Sequence, residues 1–280
     1  MKQKRVAAIH DISCFGKCSL TVALPIISAC GIETSVIPTA VLSTHTGGFK
    51  NFTFRDLTDD IMPIVNHWKQ NNIEFDALYS GYLGSIEQVE ILKEVFDKLK
   101  GKDTFICIDP VMADHGVLYG GFKPEFPKSM SSLCAKGDLI TPNITEAVFM
   151  LGEEYTQGPY TKEYIDGLLC RLAKITSGSV VLTGVYFDDQ KLGAGCYNVK
   201  TGQISYAFAQ RIDKMYHGTG DVFTSSLLSA YLCGKTLEQA TAVAVEFTAL
   251  CIKDTKENFP DMWYSVNFER NISKLIEKVK

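Results

Sequence analysis

The chain has 280 residues, 46% of them hydrophobic, and a formal net charge of −4, enough apolar material for one large α/β domain or two small ones. No basic stripe is present, which argues against nucleic acid as the main partner. Nine cysteines without a secretory leader fit a reducing interior, and the run Val6–Ile9 behind the basic Met1–Arg5 segment is too short for a signal or membrane segment, so a soluble cytoplasmic protein with no membrane partner is expected.

Val6–His10 is a short apolar run that predicts a buried strand. Ser19–Cys30 predicts a helix stopped at Gly31, and the β-branched Thr34–Thr39 a strand. Asp56–Asn71 reads as an amphipathic helix, and Ala77–Gly81 as a strand ending in a turn. Over Ser85–Leu99, Ile86, Val89, Leu92, Val95, Phe96 and Leu99 recur at three and four, which makes a helix with one apolar face. Thr104–Ile108 is a buried strand broken by Asp109-Pro110. Asp138–Ile140 leads through Thr141-Pro142-Asn143 to a helix over Thr145–Leu151. Lys162–Ile175 predicts a helix and Ser179–Leu182 a strand; Gly193–Val199 and Ile204–Ala209 form an antiparallel pair around Lys200-Thr201-Gly202. Three helices close the chain, over Thr219–Cys233, Thr236–Lys253 and Phe268–Val279. Strands alternating with helices imply one α/β domain over residues 1–280, a mostly parallel sheet covered on both faces with the late hairpin at one edge.

Ligands of such sheets sit at the carboxyl ends of the strands. Polar residues gather there: Asp11 and Ser13, Ser43–Gly48, Tyr82, Asp109 and Asp114, Asn143 and Glu146, and Thr183-Gly184. The string His217-Gly218-Thr219-Gly220-Asp221 adds two glycines, a hydroxyl and a carboxylate at a predicted helix start. Backbone N–H groups at a helix N-terminus cradle anions, and a carboxylate beside them can take a proton from an alcohol; together they point to phosphoryl transfer. The same string, taken alone, is also a common turn and cap. Asp109, Asp114 and Glu146 are hard oxygen donors of the kind Mg²⁺ takes beside substrate phosphates. His45 and His217 are the histidines nearest the site and either could act as base, with Asp221 preferred; His10, His67 and His115 read as structural or surface residues. Cys14, Cys18 and Cys30 lack a second pair at zinc spacing and read as buried thiols. Trp263-Tyr264 reads as edge packing. No P-loop, dinucleotide fingerprint or Gly-x-Ser-x-Gly elbow occurs.

Six motifs occur in order: Asp11–Gly16, Ser43–Phe49, Gly81–Gly84, Asp109–Asp114, Thr141–Ala147 and Gly218–Asp221. In this the chain resembles, over roughly its whole length, the pyridoxal/pyridoxamine kinases of the ribokinase-like superfamily. The resemblance implies a three-layer fold, usually homodimeric, that phosphorylates the 5′-hydroxymethyl group of a B6 vitamer with ATP and Mg²⁺, a monovalent cation being possible. It implies Asp221 as catalytic base, with Gly218, Thr219 and Gly220 forming the anion hole. Ser13 is matched to the ring nitrogen, Thr46 with His45 to a ring-facing loop, and Tyr82 to the aromatic that covers the vitamin. Asp109, Asn143, Glu146 and Thr183 are matched to ATP phosphates and cations, and Asp114 to magnesium. Asp11 and Lys17-Cys18 stand where a serine-rich and glycine-asparagine stretch is common, and Ala113 where glycine is frequent. Hydroxymethylpyrimidine kinases share the scaffold and are the second reading; a sugar kinase is a rival within the fold. A non-catalytic B6-binding sensor or carrier is the reading from another class, against which the retained Asp221 and cradle speak.

Overall fold

The computed structural model describes residues 3–176 and 178–280. Strand β1 (Arg5–Ser13) leads to α1 (Leu20–Ala29), β2 (Glu33–Leu42), β3 (Phe54–Asp56) and α2 (Thr58–Gln70). Then come β4 (Ala77–Ser80), α3 (Ile86–Leu99), β5 (Phe105–Ile108) and a small ribbon of β6 (Ala113–Asp114) and β7 (Val117–Leu118). The chain continues with α4 (Phe126–Cys134), β8 (Leu139–Ile140), α5 (Ile144–Leu151), α6 (Lys162–Thr176) and β9 (Ser179–Val185). It ends with β10 (Lys191–Asn198), β11 (Gln203–Gln210), α7 (Thr219–Leu232), α8 (Leu237–Asn258) and α9 (Ile272–Val279).

Among the described residues, nine strands join one sheet in the order β11-β10-β9-β8-β5-β4-β1-β2-β3. The interior is parallel; β3 and the β10–β11 hairpin add antiparallel edges. Successive strand residues alternate between two cores, as a period of two requires. Leu78, Ile106, Ile108, Val180 and Leu182 face α2 to α6. Ala77, Tyr79, Cys107, Leu139 and Val181 face α1, α7, α8 and α9. The sheet is therefore buried on both sides, which is why its strands read as near-continuous apolar runs. Since β1 pairs with both β2 and β4, the chain turns back on itself beside β1. That switch point is where a doubly wound sheet leaves a crevice.

The predicted α/β alternation is present, with informative differences. β1 runs past His10 to Ser13, so Asp11 and Ser13 lie in the strand rather than on the loop after it. The second predicted helix begins at Thr58, because Asp56 closes β3 and its side chain accepts the Thr58 N–H at 2.7 Å. The last helix begins at Ile272, after a single 3-10 turn. β3 and the β6–β7 ribbon are too short to show a pattern, and α4, which has Pro127 in its first turn and holds three serines, was not among the predicted elements although Phe126, Met130, Leu133 and Cys134 recur at helical spacing. Burial of Phe126, Met130, Leu133 and Cys134 holds that helix in place of propensity.

The edge hairpin rests on Gly193, where an added Cβ would stand 1.9 Å from the Ala207 carbonyl oxygen. Gly193→Ala should lower the unfolding free energy by about 1–3 kcal/mol through overpacking, read as a lower urea midpoint with the m-value unchanged.

Candidate active site

Asp11, Ser13, His45, Thr46, Tyr82, Asp109, Asp114, Asn143, Glu146, Thr183 and His217–Asp221 line one cleft of about 910 Å³ at the carboxyl ends of the parallel strands, whereas Ser43, Thr44 and Gly48 of the predicted rim do not. Its wall on one side is the start of α7. Gly218 caps that helix at φ +78, and a Cβ there would meet the Lys17 carbonyl oxygen at 2.4 Å, so both backbone angle and close approach demand glycine. Gly220 faces open space. The first-turn N–H groups of a helix have no acceptor within it, and here they open on the cleft.

Asp221 sits in that first turn. Its Oδ2 accepts the Ser19 backbone N–H at 2.8 Å. Burial raises its pKa to about 7, with the neighbouring Asp11 adding to the rise. Ser19 delivers its N–H from φ +55, ψ −123, outside the regions L-residues favour, and Gly16 and Lys17 beside it also have positive φ. Such a conformation persists only where its surroundings hold it; a Lys17–Glu269 ion pair of 2.8 Å is one such hold.

At the floor, Asp109 directly follows β5. Thr224 Oγ1, from α7, donates to its Oδ2 at 3.1 Å, and Thr141 Oγ1 lies 3.1 Å from the same hydroxyl. Burial first, then the charge of Asp221, raises Asp109 to about 8. Asn143 and Glu146 form the capping box of α5: Asn143 Oδ1 accepts the Glu146 N–H and Glu146 Oε2 accepts the Asn143 N–H, both at 2.9 Å. Glu146 Oε1 accepts the Met112 N–H at 3.1 Å, so both its oxygens brace backbone. Burial raises its pKa well above the usual range. Thr183 Oγ1 donates weakly to the Pro142 carbonyl at 3.4 Å. Asp114, on the β6–β7 ribbon, is exposed and accepts the His115 N–H at 2.8 Å.

Among the described residues, no three His, Cys, Asp or Glu side chains group to hold a metal ion by themselves. Asp109, Asp114 and Glu146 thus do not form a closed cage. Their oxygen chemistry fits Mg²⁺ held mainly by phosphate oxygens and water, the way this hard ion is usually bound.

His45 is not a base. Its Nδ1 accepts the Gly47 N–H at 3.1 Å, which leaves the proton on Nε2, where it is donated to the Tyr264 carbonyl at 2.6 Å. Its ring fills the place of a Gly16 side chain, and the His217 ring fills that of Gly47, each with an added Cβ closer than 2.5 Å. The two imidazoles lie 5.0 Å apart, so three loops interlock through paired glycines and histidines. Phe49 packs on Trp263 at 4.8 Å and Phe15 on Tyr264 at 4.8 Å; neither Trp263 nor Tyr264 lines the cleft. Cys14 is exposed and Cys18 and Cys30 are partly buried, correcting the expectation of three buried thiols. Cys14 departs because it lies one residue past the end of β1, outside the buried strand.

Ser19, Arg211 and Lys214 are among the cleft residues that sequence reading missed. Ser19 matters through its backbone, which its residue type does not announce. Arg211 and Lys214 stand between β11 and the cradle, and two cations just upstream of a glycine turn were a legible signal; the Arg211 guanidinium lies 4.7 Å from the Tyr186 ring centroid.

A family model for phosphomethylpyrimidine kinase matches residues 24–261. A Bacteroides thetaiotaomicron protein described as a candidate phosphomethylpyrimidine kinase, crystallised with pyridoxal, is 36% identical with a TM-score of 0.93, over 98% of this chain and 96% of that one. The pyridoxal kinase of Lactobacillus plantarum is 26% identical with a TM-score of 0.89, over 99% and 98%. The hydroxymethylpyrimidine/phosphomethylpyrimidine kinase of Aquifex aeolicus is 29% identical over 62% of this chain and 67% of its own length. The ribokinase-like three-layer fold expected from the motifs is thereby confirmed. Among the described residues, no helix is long and apolar enough to cross a membrane.

Asp109 gives a test of the electrostatics. Its folded-state pKa exceeds the unfolded one, so the stability it contributes is full below about pH 4 and is lost as pH rises through about 8. Asp109→Asn should therefore melt higher than wild type at pH 8, with the difference shrinking toward pH 4 in thermal scans of the ligand-free protein.

Proposed function

The chain belongs to the phosphomethylpyrimidine kinase family, and on that premise we propose that it transfers the γ-phosphoryl group of ATP to the 5′-hydroxymethyl group of a B6 vitamer. One observation carries the reading: a carboxylate raised to about 7 stands in the first turn of a helix whose N-terminus opens on the same cleft. A base near neutrality can accept a proton from an alcohol that attacks late. Amides at the helix start stabilise charge on the phosphoryl oxygens, worth a few kcal/mol per donor in comparable sites.

In this reading Ser13, Thr46 and Tyr82 hold the ring, with His45 keeping the Thr46 loop in place. Asp221 orients and deprotonates the hydroxymethyl group, while Gly218, Thr219 and Gly220 supply the anion hole. Asn143 and Thr183 border the nucleotide phosphates. Asp109 and Asp114, with Glu146 bracing the loop between them, would hold Mg²⁺, which supplies charge neutralisation on the phosphates. The Lactobacillus plantarum relative and the pyridoxal bound by the Bacteroides protein support a B6 vitamer. The family description and the Aquifex relative support hydroxymethylpyrimidine as the second reading. A single-domain, cytoplasmic homodimer belongs to the same proposal.

Release of ADP, measured with pyridoxal, pyridoxine, pyridoxamine and hydroxymethylpyrimidine in turn, separates the two readings; the first expects kcat/KM to be highest for one of the vitamers. Asp221→Ala should lower kcat by roughly 10²–10⁴-fold with the fold intact. In the wild type, kcat/KM should fall on the acid side of about pH 7, as Asp221 takes up its proton.

A further inference from the structure

The chain has five histidines, and four of them are accounted for. His10 is sealed in the core, His45 bridges Gly47 and Tyr264, His67 lies against Asn71, and His115 stands 3.6 Å from Asp114. His217 is different. It lines the cleft immediately before the cradle residue Gly218. Among the described residues no hydrogen bond or ion pair engages either of its nitrogens.

The ring is nevertheless held. An added Cβ on Gly47 would stand 2.4 Å from its Nδ1 and Cε1, so that edge abuts the loop and Nε2 is the nitrogen farther from it. The His45 imidazole packs beside it at 5.0 Å, and Asp114, on the β6–β7 ribbon, is the charged group that acts on it. An imidazole always carries at least one N–H. Here packing fixes the ring while its donor stays free for a ligand, which is how a preorganised site residue is held.

The neighbouring side-chain donors are engaged with protein. Thr219 Oγ1, in the cradle, donates to the Tyr216 carbonyl at 3.3 Å, and Thr224 Oγ1 donates to Asp109. Of the lysine and arginine that line the cleft, Lys214 donates from Nζ to the Pro260 carbonyl at 3.0 Å, and Arg211 pairs with Asp189 at 3.5 Å. His217 is thus the unengaged donor next to the backbone cradle. Charge on the equatorial oxygens of a transferring phosphoryl group is stabilised by donors already aimed at them.

We propose that His217 is a further catalytic residue, its ring N–H donating to an oxygen of the phosphoryl group being transferred and so adding a side chain to the backbone cradle. The ring keeps its proton throughout, and Asp221 takes the one released by the alcohol. The proposal rests on reading the cleft as that of an alcohol kinase.

Steady-state kinetics on wild type, His217→Phe and His217→Gln separate bonding from packing. Phenylalanine keeps a flat ring against Gly47 but no N–H; glutamine keeps an N–H but no ring. His217→Phe should lower kcat roughly 10- to 100-fold, the range of one hydrogen bond to a charged group. The loss should fall on kcat, with KM for ATP and for the alcohol changed by less than about threefold. His217→Gln should keep kcat within about fivefold of wild type, since its amide can still donate. ADP lacks the group that is transferred, so in calorimetry it should bind His217→Phe as tightly as wild type. A kcat for His217→Phe equal to or above that of His217→Gln marks a packing role and overturns the inference. A weakened ADP complex overturns it too, and both results leave the kinase reading standing. If His217→Phe is insoluble, His217→Leu takes its place with the same expectation. A wild type that releases ADP with none of the B6 vitamers and not with hydroxymethylpyrimidine overturns both readings.

Discussion

Four carboxylates crowd one end of a parallel sheet, and among the described residues none of them is paired with a cation. Asp11, Asp109, Glu146 and Asp221 all have raised pKa values, and burial is the leading cause in each. Unpaired charge is costly away from water, so each acid is held by hydrogen bonds instead: hydroxyls of Ser13 and Thr224, and amides of Ser19, Met112 and Asn143. The stability given up there is what raises their pKa values. A carboxylate poised near neutrality can exchange a proton, and a floor lacking counter-charge draws in whatever positive group arrives with the substrates.

The remainder of the fold serves to keep these groups together. Ser19 and Asp221 are far apart in sequence, yet the Ser19 amide reaches the Asp221 carboxylate at 2.8 Å. Thr224 and Thr141 tie α7 to the strand ends on either side of Asp109. The parallel sheet sets the distances, and α7, packed against the sheet through Val222, Leu227 and Leu228, brings its N-terminus to the crevice. Neither the surroundings of Asp221 nor those of Asp109 are built by a local segment alone.

Much of this was legible in the sequence where chemistry and pattern coincide. The apolar alternation located the central strands, and the polar residues following them marked the crevice, because parallel sheets leave no other place for them. Gly218 and Asp221 were readable since a left-handed cap and a first-turn acid are set by local rules. What escaped depends on contacts made across the fold. Helix α4 has its apolar residues at helical spacing, but Pro127 and three serines mask them in the sequence. His45 looks like a base until its two nitrogens are seen to be spent on Gly47 and Tyr264. Glu146 reads from the sequence as one more site acid, and its two bonds to backbone amides, which brace the loop, show only in the fold. Ser19 acts through a peptide N–H in a strained conformation, which no residue letter encodes.

The histidine–glycine clasp carries a lesson for anyone altering this protein. Each imidazole occupies the volume its partner glycine leaves empty, so the three loops behave like fitted parts of one mould. Enlarging one of them without shrinking its mate shifts the others, and the cleft wall they line moves with them. Attempts to retarget the cleft to bulkier alcohols will have to recast these loops in concert, treating Gly16, His45, Gly47 and His217 as a single design variable.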